Sequence, residues 1–209
     1  MYPHFGAADA LLFAANPGVR RGRDNGLLAS ARLITANFPS ARLVYTGTTS
    51  LYGDAAGGPV DEQSAIAATP EAQALHAIEQ PFAAHANALV LRATALVGPT
   101  RTFTRERLRA AHGGELVVKG DLDRPFSWLH ETDLSELCLQ ALLGGLGSGV
   151  LNAAAPQRTT VRGYYAALCA SAGVTVTLRG DDAPVPSRWI DASRLHCMLP
   201  DFSWRSLSA

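Results

Sequence analysis

The sequence predicts an α/β fold built on a doubly wound parallel sheet. Short continuous apolar segments alternate with amphipathic segments of helical period along nearly the whole chain. This alternation is typical of parallel strands joined by right-handed helical crossovers. The 209 residues suffice for one such domain with a sizeable core, and no internal repeat or low-complexity linker interrupts them. We therefore expect residues 1–209 to form a single domain.

The first half of the chain contains three predicted strands and two helices. Its opening apolar run ends in an Asn-Pro-Gly turn, which favours a strand buried on both faces. Thr69 as N-cap and Pro70 in the first turn predict where the second helix begins. In order, the elements are a strand in 7–18, a helix at 24–38, a strand at 41–47, a helix at 69–81 and a strand with its exit loop at 88–99.

The second half continues the same alternation. Asp133 with Glu136 three residues later matches a capping box and predicts that a helix begins at this aspartate. Gly173 is expected to end the last long helix in a left-handed conformation. In order, the elements are a helix at 103–112, a strand at 114–121, an extended segment and a helix within 124–143, a strand at 149–156 and a helix at 160–173.

The charge balance and the N-terminal sequence limit the class of partner that we expect. Lys plus Arg and Asp plus Glu both total 18, so no overall field attracts nucleic acid or an anionic membrane. The N-terminus lacks a basic leader, and its apolar run of about six residues is far shorter than the roughly twenty that span a bilayer. We expect a cytoplasmic protein whose partner is a small molecule or another protein.

Three cysteines stand far apart and show no metal or redox spacing: Cys138, Cys169 and Cys197. An odd number of separated cysteines fits free thiols in a reducing compartment better than a disulfide framework. We expect each of them to be a small buried apolar residue.

A cluster of hydroxyl groups follows the second predicted strand. The stretch 46–54, TGTTSLYGD, places threonines and a serine where an apolar strand gives way to a glycine turn. In a doubly wound sheet, ligands bind at such carboxyl ends of strands. Thr48 is therefore a candidate catalytic hydroxyl, although the same side chains could serve only to satisfy backbone groups of the turn.

These segments resemble, in order and spacing, the extended short-chain dehydrogenase/reductases, that is, the NAD-dependent epimerase/dehydratase family. The resemblance is to atypical members similar to nucleoside-diphosphate-sugar epimerases. The matching segments are ADALLFAANPG, LVYTGTTSLYGD, VDE (60–62), LRATALVGP, FSWLHETDLSELCLQAL, GVLNAAAP with YYAALCASAG, and RWIDASRL (188–195). It implies a Rossmann-like fold, NAD or NADP as cofactor, a sugar nucleotide or similar hydroxylated substrate, and a substrate-side role for residues from about 155 to 209.

The chain departs from the family pattern at its beginning. The family opens with a glycine-rich loop that approaches the cofactor pyrophosphate, and no such loop occurs in these 209 residues. The first strand here corresponds to the family's fourth, so we expect an N-terminally truncated sheet with an exposed apolar edge. Such an edge invites aggregation. We therefore expect a homo-oligomer or a partner that covers this strand. Because the glycine-rich loop is missing, the alternative to NAD or NADP is that no cofactor binds.

The second departure concerns proton transfer. The family uses a tyrosine and a lysine four residues later on the helix after the hydroxyl turn. With Glu79 matched to the family's helix glutamate, these two places fall on Glu71 and Leu75. His76 and Glu79, three residues apart, are candidates for a substitute catalytic pair, and the alternative is a solvated helix face.

The resemblance also implies a set of cofactor-binding positions. They are Ala14, Ala15, Pro17, Thr46, Arg92 and Gly98. The plain alternative is that Arg92 ends a strand and that Gly98 with Pro99 only forms a turn. Arg20, Arg21 and Arg23 could hold a phosphate or lie in a solvated loop.

We expect no metal. His130 and Asp133 have an i, i+3 spacing, but no third ligand is spaced to join them, and the aspartate is assigned to helix capping.

Three functions follow as hypotheses. The first is an NAD(P)-binding epimerase/dehydratase-like protein with impaired or atypical redox chemistry. The second is a cofactor-free pseudoenzyme that binds a small molecule or protein partner on the remaining fold. The third is a non-redox isomerase or cyclase that uses Thr48 and His76.

Overall fold

A computed structural model describes residues 7–15 and 26–207 of the chain. The strands are β1 (Ala10–Phe13), β2 (Arg42–Thr48), β3 (Pro59–Val60), β4 (Ala88–Ala93), β5 (Ala95–Val97), β6 (Glu115–Val118), β7 (Pro125–Phe126), β8 (Trp128–His130), β9 (Gly149–Ala153), β10 (Thr159–Thr160), β11 (Thr177–Gly180) and β12 (Trp189–Ile190). The helices are α1 (Leu27–Asn37), α2 (Pro70–Ala83), α3 (Thr102–Ala110), α4 (Glu131–Leu142), α5 (Val161–Ala172) and α6 (Ser193–Met198).

The main sheet has four parallel strands in the order β1-β2-β4-β9. The register pairs Leu12 with Val44, Val44 with Leu89 and Leu89 with Gly149. Because all four strands are parallel, their carboxyl ends lie along one edge of the sheet. The predicted α/β class with a parallel sheet is confirmed.

Helices cover both faces of this sheet. On one face, Val44, Leu89 and Leu91 pack in a cluster with Leu137 of α4. On the other face, the sheet packs against α1 and α2, where the Tyr45 and Phe82 rings stack with centroids 4.9 Å apart. All six residues of the central strand β4 are buried, as expected for a strand covered on both sides.

Four two-stranded pairings surround the main sheet: β3 with β12, β5 with β8, β6 with β11 and β7 with β10. The pair β3–β12 matters most for the site, since it joins the C-terminal segment to the loop that follows β2. A separate apolar cluster, built on α3, α5 and β6, lies beneath the third and fourth of these pairs.

Strand β1 differs from the sequence-based expectation of burial on both faces. Leu12 is 42% exposed, and Leu11 and Phe13 are only half-buried. The reason is its edge position: within residues 7–15 and 26–207, β2 is the only strand that pairs with β1. Apolar composition alone does not distinguish an edge strand from a central one.

The opposite edge, at β9, is occupied by side chains. Glu62 Oε1 accepts a hydrogen bond from the Asn152 backbone N–H at 2.8 Å, and Arg194 Nη1 donates to the Val150 carbonyl at 3.4 Å. The two side chains also approach each other, with Arg194 Nη1 3.8 Å from Glu62 Oε2. Together they satisfy outward-facing backbone groups that another strand would otherwise take.

The helix boundaries confirm some local predictions and overturn one. Thr69 caps α2 by accepting from Ala72 N, and Gly173 ends α5 with φ 62°. The capping box at Asp133 is wrong: α4 begins two residues earlier, and His130 Nδ1 caps it by accepting from Thr132 N at 3.2 Å. Asp133 is instead fully buried, where it accepts from Arg205.

Two further expectations are corrected. Helix α2 continues through Pro81 to Ala83, two residues beyond the predicted end. Of the three free cysteines, Cys138 is buried, Cys169 is half-buried and Cys197 is exposed, so the expectation of three buried thiols is wrong for the last. No helix in the described part of the chain is long and apolar enough to cross a bilayer.

Candidate functional site

The hydroxyl groups after β2 form a 3₁₀ turn at the carboxyl edge of the sheet, over Thr49–Leu51. Thr48 caps this turn: its Oγ1 accepts from Ser50 N at 3.1 Å and donates to Ser50 Oγ at 3.0 Å. Thr49 is buried and donates to the Ala93 carbonyl at 3.4 Å. The backbone-capping role is therefore real, while Thr46, Thr48 and Ser50 stay half-exposed at the edge where ligands bind such sheets.

Behind this turn lies a buried ion pair between Glu79 on α2 and Arg92 on β4. The side chains are 1% and 5% exposed, and Arg92 Nε lies 3.0 Å from Glu79 Oε2. The alternative of a solvated helix face is wrong for Glu79.

Arg92 continues this pair into a network that crosses the sheet. Its Nη1 donates to the Tyr52 hydroxyl at 2.6 Å, and that hydroxyl donates to Asn152 Oδ1 at 2.8 Å. Asn152 Nδ2 in turn donates to the Asp191 carbonyl at 2.9 Å. Burial raises the pKa of Tyr52 despite the opposing effect of Arg92, so the phenol stays neutral. The network fixes the hydroxyl turn relative to β4, β9 and the C-terminal segment.

The predicted partner of Glu79 lies at the surface. His76 is 31% exposed, its Nδ1 is 3.9 Å from Glu79 Oε1, and its ring contacts Gln80 at 3.0 Å. Because Glu79 already binds Arg92 on its buried side, its carboxylate is held in an ion pair. The catalytic role of His76 and Glu79 stays a prediction.

The two positions that correspond to the family's tyrosine and lysine are filled by unsuitable groups. Glu71 is exposed in the first turn of α2, and Leu75 is buried in an apolar cluster with Leu51 and Val60. A leucine side chain offers no ionisable group to lower a neighbour's pKa. These residues do not fit hydride chemistry at a nicotinamide.

Gly98 lies in the loop after β5 and is held against Glu131. Its φ of 145° favours glycine, and a Cβ there would come within 2.6 Å of the Glu131 side chain. Glu131 accepts from Thr100 N at 2.9 Å, accepts from the Thr100 hydroxyl and faces Arg101 Nε at 3.4 Å. Burial acts to raise the pKa of Glu131, but the Thr100 hydrogen bonds and the Arg101 charge lower it overall.

The sequence did not single out two further arginines, of which one contacts the hydroxyl turn. Arg124 precedes β7, Arg188 precedes β12, and the Nε atoms of both are buried without a hydrogen-bond partner among the described residues. Arg188 Nη2 donates to the Thr49 carbonyl at 3.1 Å. Burial lowers the pKa of both guanidinium groups; at Arg188 the charge of Asp54 opposes this shift and the charge of Arg124 adds to it. Arg124 is therefore close enough to Arg188 to act on its charge.

Backbone hydrogen bonds hold Arg188 in this place. Its neighbour Ser187 accepts from Ala55 N at 3.1 Å and from Gly57 N at 2.9 Å through its carbonyl. Ser187 N donates to Asp54 Oδ1 at 2.6 Å. The loop after the hydroxyl turn and the segment before β12 therefore form one unit, and local sequence patterns carry no signal for this long-range pairing.

The remaining predicted positions are spread around the carboxyl edge or lie outside the described residues. Ala14 is exposed and Ala15 half-buried just after β1. Pro17 and the three arginines at 20, 21 and 23 fall outside the described ranges, so their predicted phosphate or cofactor contacts stay predictions. Within the described ranges, no group of three His, Cys, Asp or Glu residues is placed to hold a metal ion.

Known structures share this architecture. The chain superimposes on dTDP-glucose 4,6-dehydratase of Bacillus anthracis str. Ames in complex with NAD with a TM-score of 0.74 at 18% identity, covering 96% of this chain and 70% of that one. For UDP-glucuronic acid 4-epimerase of Bacillus cereus with NAD, the TM-score is 0.77 at 16% identity, with coverages of 96% and 70%. For RMD of Pseudomonas aeruginosa with NADPH, the TM-score is 0.77 at 19% identity, and the superposition covers 99% of this chain and 78% of that one.

These superpositions establish the fold, which is the Rossmann-like fold expected from the resemblance. A search among curated proteins found no match to the sequence. The sequence profile of the NAD dependent epimerase/dehydratase family matches residues 24–154, well over half of the chain. That match spans α1 to β9 and includes the hydroxyl turn, the Glu79–Arg92 pair and Arg124. The chain therefore belongs to the NAD dependent epimerase/dehydratase family.

Proposed function

We propose that this protein binds the diphosphate of a sugar nucleotide beside its hydroxyl turn and that its hydride chemistry is impaired. The observation that carries the proposal is the pair of buried Nε atoms of the half-buried Arg124 and Arg188, neither of which has a hydrogen-bond acceptor among the described residues. A buried donor without an acceptor is costly, and the charges of Asp54 and Asp121 offset only the electrostatic part of that cost. A doubly charged anion bound by both arginines would supply the missing acceptors.

The geometry suits a diphosphate better than a single carboxylate. Each guanidinium presents a planar set of donors that matches phosphate oxygens, and two such groups match two phosphates. Arg188 also bonds the Thr49 carbonyl, so an anion held there lies next to the half-exposed hydroxyl groups of Thr48 and Ser50. A half-exposed hydroxyl can exchange further hydrogen bonds with the hydroxyl groups of an attached sugar.

The family's solved members support this class of ligand. The B. anthracis and B. cereus enzymes are named for dTDP-glucose and UDP-glucuronic acid, and both were solved with NAD. For the present chain, a nicotinamide contact at Ala14, Ala15, Thr46 and Gly98 is part of the proposal.

Impaired redox chemistry follows from Leu75 and Glu71, which occupy the places where proton transfer would be organised. Arg92 is engaged by Glu79 and Tyr52 and would contribute to the site by holding the hydroxyl turn in place. The pseudoenzyme hypothesis thus predicts ligand binding without turnover. A cytoplasmic location and a partner at β1 stay predictions.

The test is calorimetric titration of the whole chain with UDP-glucuronic acid and with dTDP-glucose, combined with nicotinamide fluorescence during NADH addition. We expect saturable sugar-nucleotide binding that weakens with added salt, and no conversion of either sugar nucleotide during incubation with NAD or NADP, as followed by NMR. A folded chain that binds neither sugar nucleotide would refute the binding proposal. Conversion of a sugar nucleotide would refute the impairment and support a working epimerase or dehydratase.

A further inference from the structure

All four buried side-chain nitrogen or oxygen atoms that lack a partner in the described chain are N–H donors. They are Arg124 Nε, Trp128 Nε1, His130 Nε2 and Arg188 Nε. Buried donors in folded proteins are nearly always paired, so four orphans of one chemical type point to a common acceptor. Three of the four fall within seven residues of sequence, from 124 to 130.

The fourth donor belongs to a segment that touches this one. Ile190 N on β12 donates to Ser127 Oγ at 3.0 Å, which joins the strand that follows Arg188 to the segment that contains Trp128. The four donors therefore lie on two adjoining segments, 124–130 and 188–190. The hydrogen bond between Ile190 and Ser127 brings these two segments together.

Within β8 the two aromatic donors share a face. Leu129 packs in the main core cluster against the sheet, and side chains alternate along a strand, so Trp128 and His130 lie on the opposite face. Both are buried, with 1% and 4% of their surface exposed. Their spacing of two residues places the side-chain origins about 7 Å apart, which suits neighbouring oxygens of one small ligand.

The proton positions make both groups donors. His130 Nδ1 accepts from Thr132 N in capping α4, so in the neutral ring the proton sits on Nε2. The Trp128 indole nitrogen only donates. N–H donors of this kind suit hydroxyl, carbonyl or carboxylate oxygens, whereas guanidinium groups suit phosphate.

We infer that Trp128 and His130 bind oxygens of the sugar portion of the ligand and so determine which sugar the protein accepts. This inference rests on the proposed function, because it takes the diphosphate to be held by Arg124 and Arg188. It makes the two rings specificity-determining residues. A site that binds hydroxyl or carbonyl oxygens through buried donors discriminates strongly against ligands that lack them.

The experiment compares UDP with UDP-glucuronic acid as calorimetric probes of the whole chain. Trp128→Phe removes the indole N–H and keeps most of the ring volume. His130→Asn removes the Nε2 donor and retains a good helix N-cap. Trp204→Phe is the matched control, since Trp204 lies in the C-terminal segment against the core cluster. Thermal unfolding establishes that each variant is folded.

We expect each of the first two variants to weaken UDP-glucuronic acid binding by about fivefold, as for loss of one neutral hydrogen bond, and to leave UDP binding unchanged. The Trp128 indole N–H resonance, assigned by its loss in Trp128→Phe, should shift with UDP-glucuronic acid and not with UDP. The control should change neither affinity.

Three results would overturn the inference. The first is a wild type that binds UDP and UDP-glucuronic acid equally well. The second is a pair of variants that weaken both probes equally or neither, which would assign the donors to buried water. A wild type that binds neither probe would overturn the proposed function, and this inference with it.

Discussion

Arg92 and the pair formed by Arg124 and Arg188 are all partly or fully buried, yet their surroundings differ. Arg92 donates to both oxygens of Glu79 and to the Tyr52 hydroxyl. Arg124 and Arg188 each retain a buried Nε without a partner in the described residues, and they repel each other. Arg92 has its counter-ion within the folded chain, and for the other two arginines we propose an external anion.

This difference teaches how to separate structural from ligand-binding arginines within one site. The resemblance implies a cofactor contact for Arg92, which stays a prediction, while its contacts with Glu79 and Tyr52 give it a structural role. The two arginines that sequence reasoning passed over have the free hydrogen-bonding capacity that recognition requires. Substitutions at the two kinds of position should therefore separate stability from binding.

The largest effect is expected from breaking the ion pair between Glu79 and Arg92. Arg92→Ala leaves the Glu79 carboxylate buried without its counter-ion and should lower the free energy of unfolding by about 3–5 kcal/mol. Urea denaturation followed by circular dichroism measures this loss. The matched control is the double variant Glu79→Leu with Arg92→Met, which removes both charges and should recover most of the stability. A single variant as stable as wild type would show that the pair contributes no structural role.

Substitutions of Arg124 and Arg188 should change ligand affinity rather than stability. Arg124→Gln and Arg188→Gln each remove one charge-assisted contact and should weaken UDP-glucuronic acid binding by roughly ten- to a hundredfold. Their free energies of unfolding should change by no more than about 1 kcal/mol, since neither arginine has an ion-pair partner to lose. Calorimetric titration and urea denaturation of the same preparations test both points. Unchanged affinity together with large destabilisation would reverse the comparison.

A smaller effect is expected at Tyr52, the second side chain to which Arg92 donates. Tyr52→Phe removes the hydroxyl that joins Arg92 to Asn152, leaving one buried donor and one buried acceptor unpaired. We expect a loss of about 1–3 kcal/mol in the free energy of unfolding. Wild-type stability in this variant would mean that water replaces the hydroxyl within the network.

The smallest effect belongs to a carboxylate whose arginine partner is exposed. Glu131 has a lowered pKa in the folded chain, so its stabilising contribution is present at neutral pH. As the pH falls from the ordinary glutamate range through the lower folded value, that contribution is lost. Wild type and Glu131→Gln should therefore differ slightly in unfolding midpoint at pH 7 and converge in acid. If the unfolding midpoints of the two proteins differ by the same amount at every pH, the hydrogen bonds that Glu131 accepts from Thr100 do not stabilise the fold.

Much of the fold was predictable because its signals are local. Alternation of apolar strands with amphipathic helices predicts the parallel sheet, and single residues such as Thr69 and Gly173 define helix ends through their own side chain or backbone freedom. The edge position of β1 was expected from the resemblance and not from its composition. Apolar content led to the incorrect expectation of burial on both faces.

The parts of the site that escaped prediction depend on distant residues. Asp133 looked like an N-cap because nothing nearby reveals that Arg205, 72 positions later, draws it into the interior. Glu79 looked solvated because its partner lies on a strand beyond the end of its helix. For Arg124 and Arg188, the informative property is that Nε lacks a hydrogen-bond partner, and only the folded chain shows this.

Glu62 and Arg194 occupy the outer side of β9, which has a consequence for assembly. A charged pair already bonded to the backbone opposes strand addition at that edge, since an incoming strand would have to displace and desolvate it. Edge-to-edge association of this sheet would then join β1 to β1 of a second copy. Such a contact is isologous and closes at two subunits, so this asymmetry between the edges favours a finite two-fold dimer over open-ended stacking of sheets into fibres.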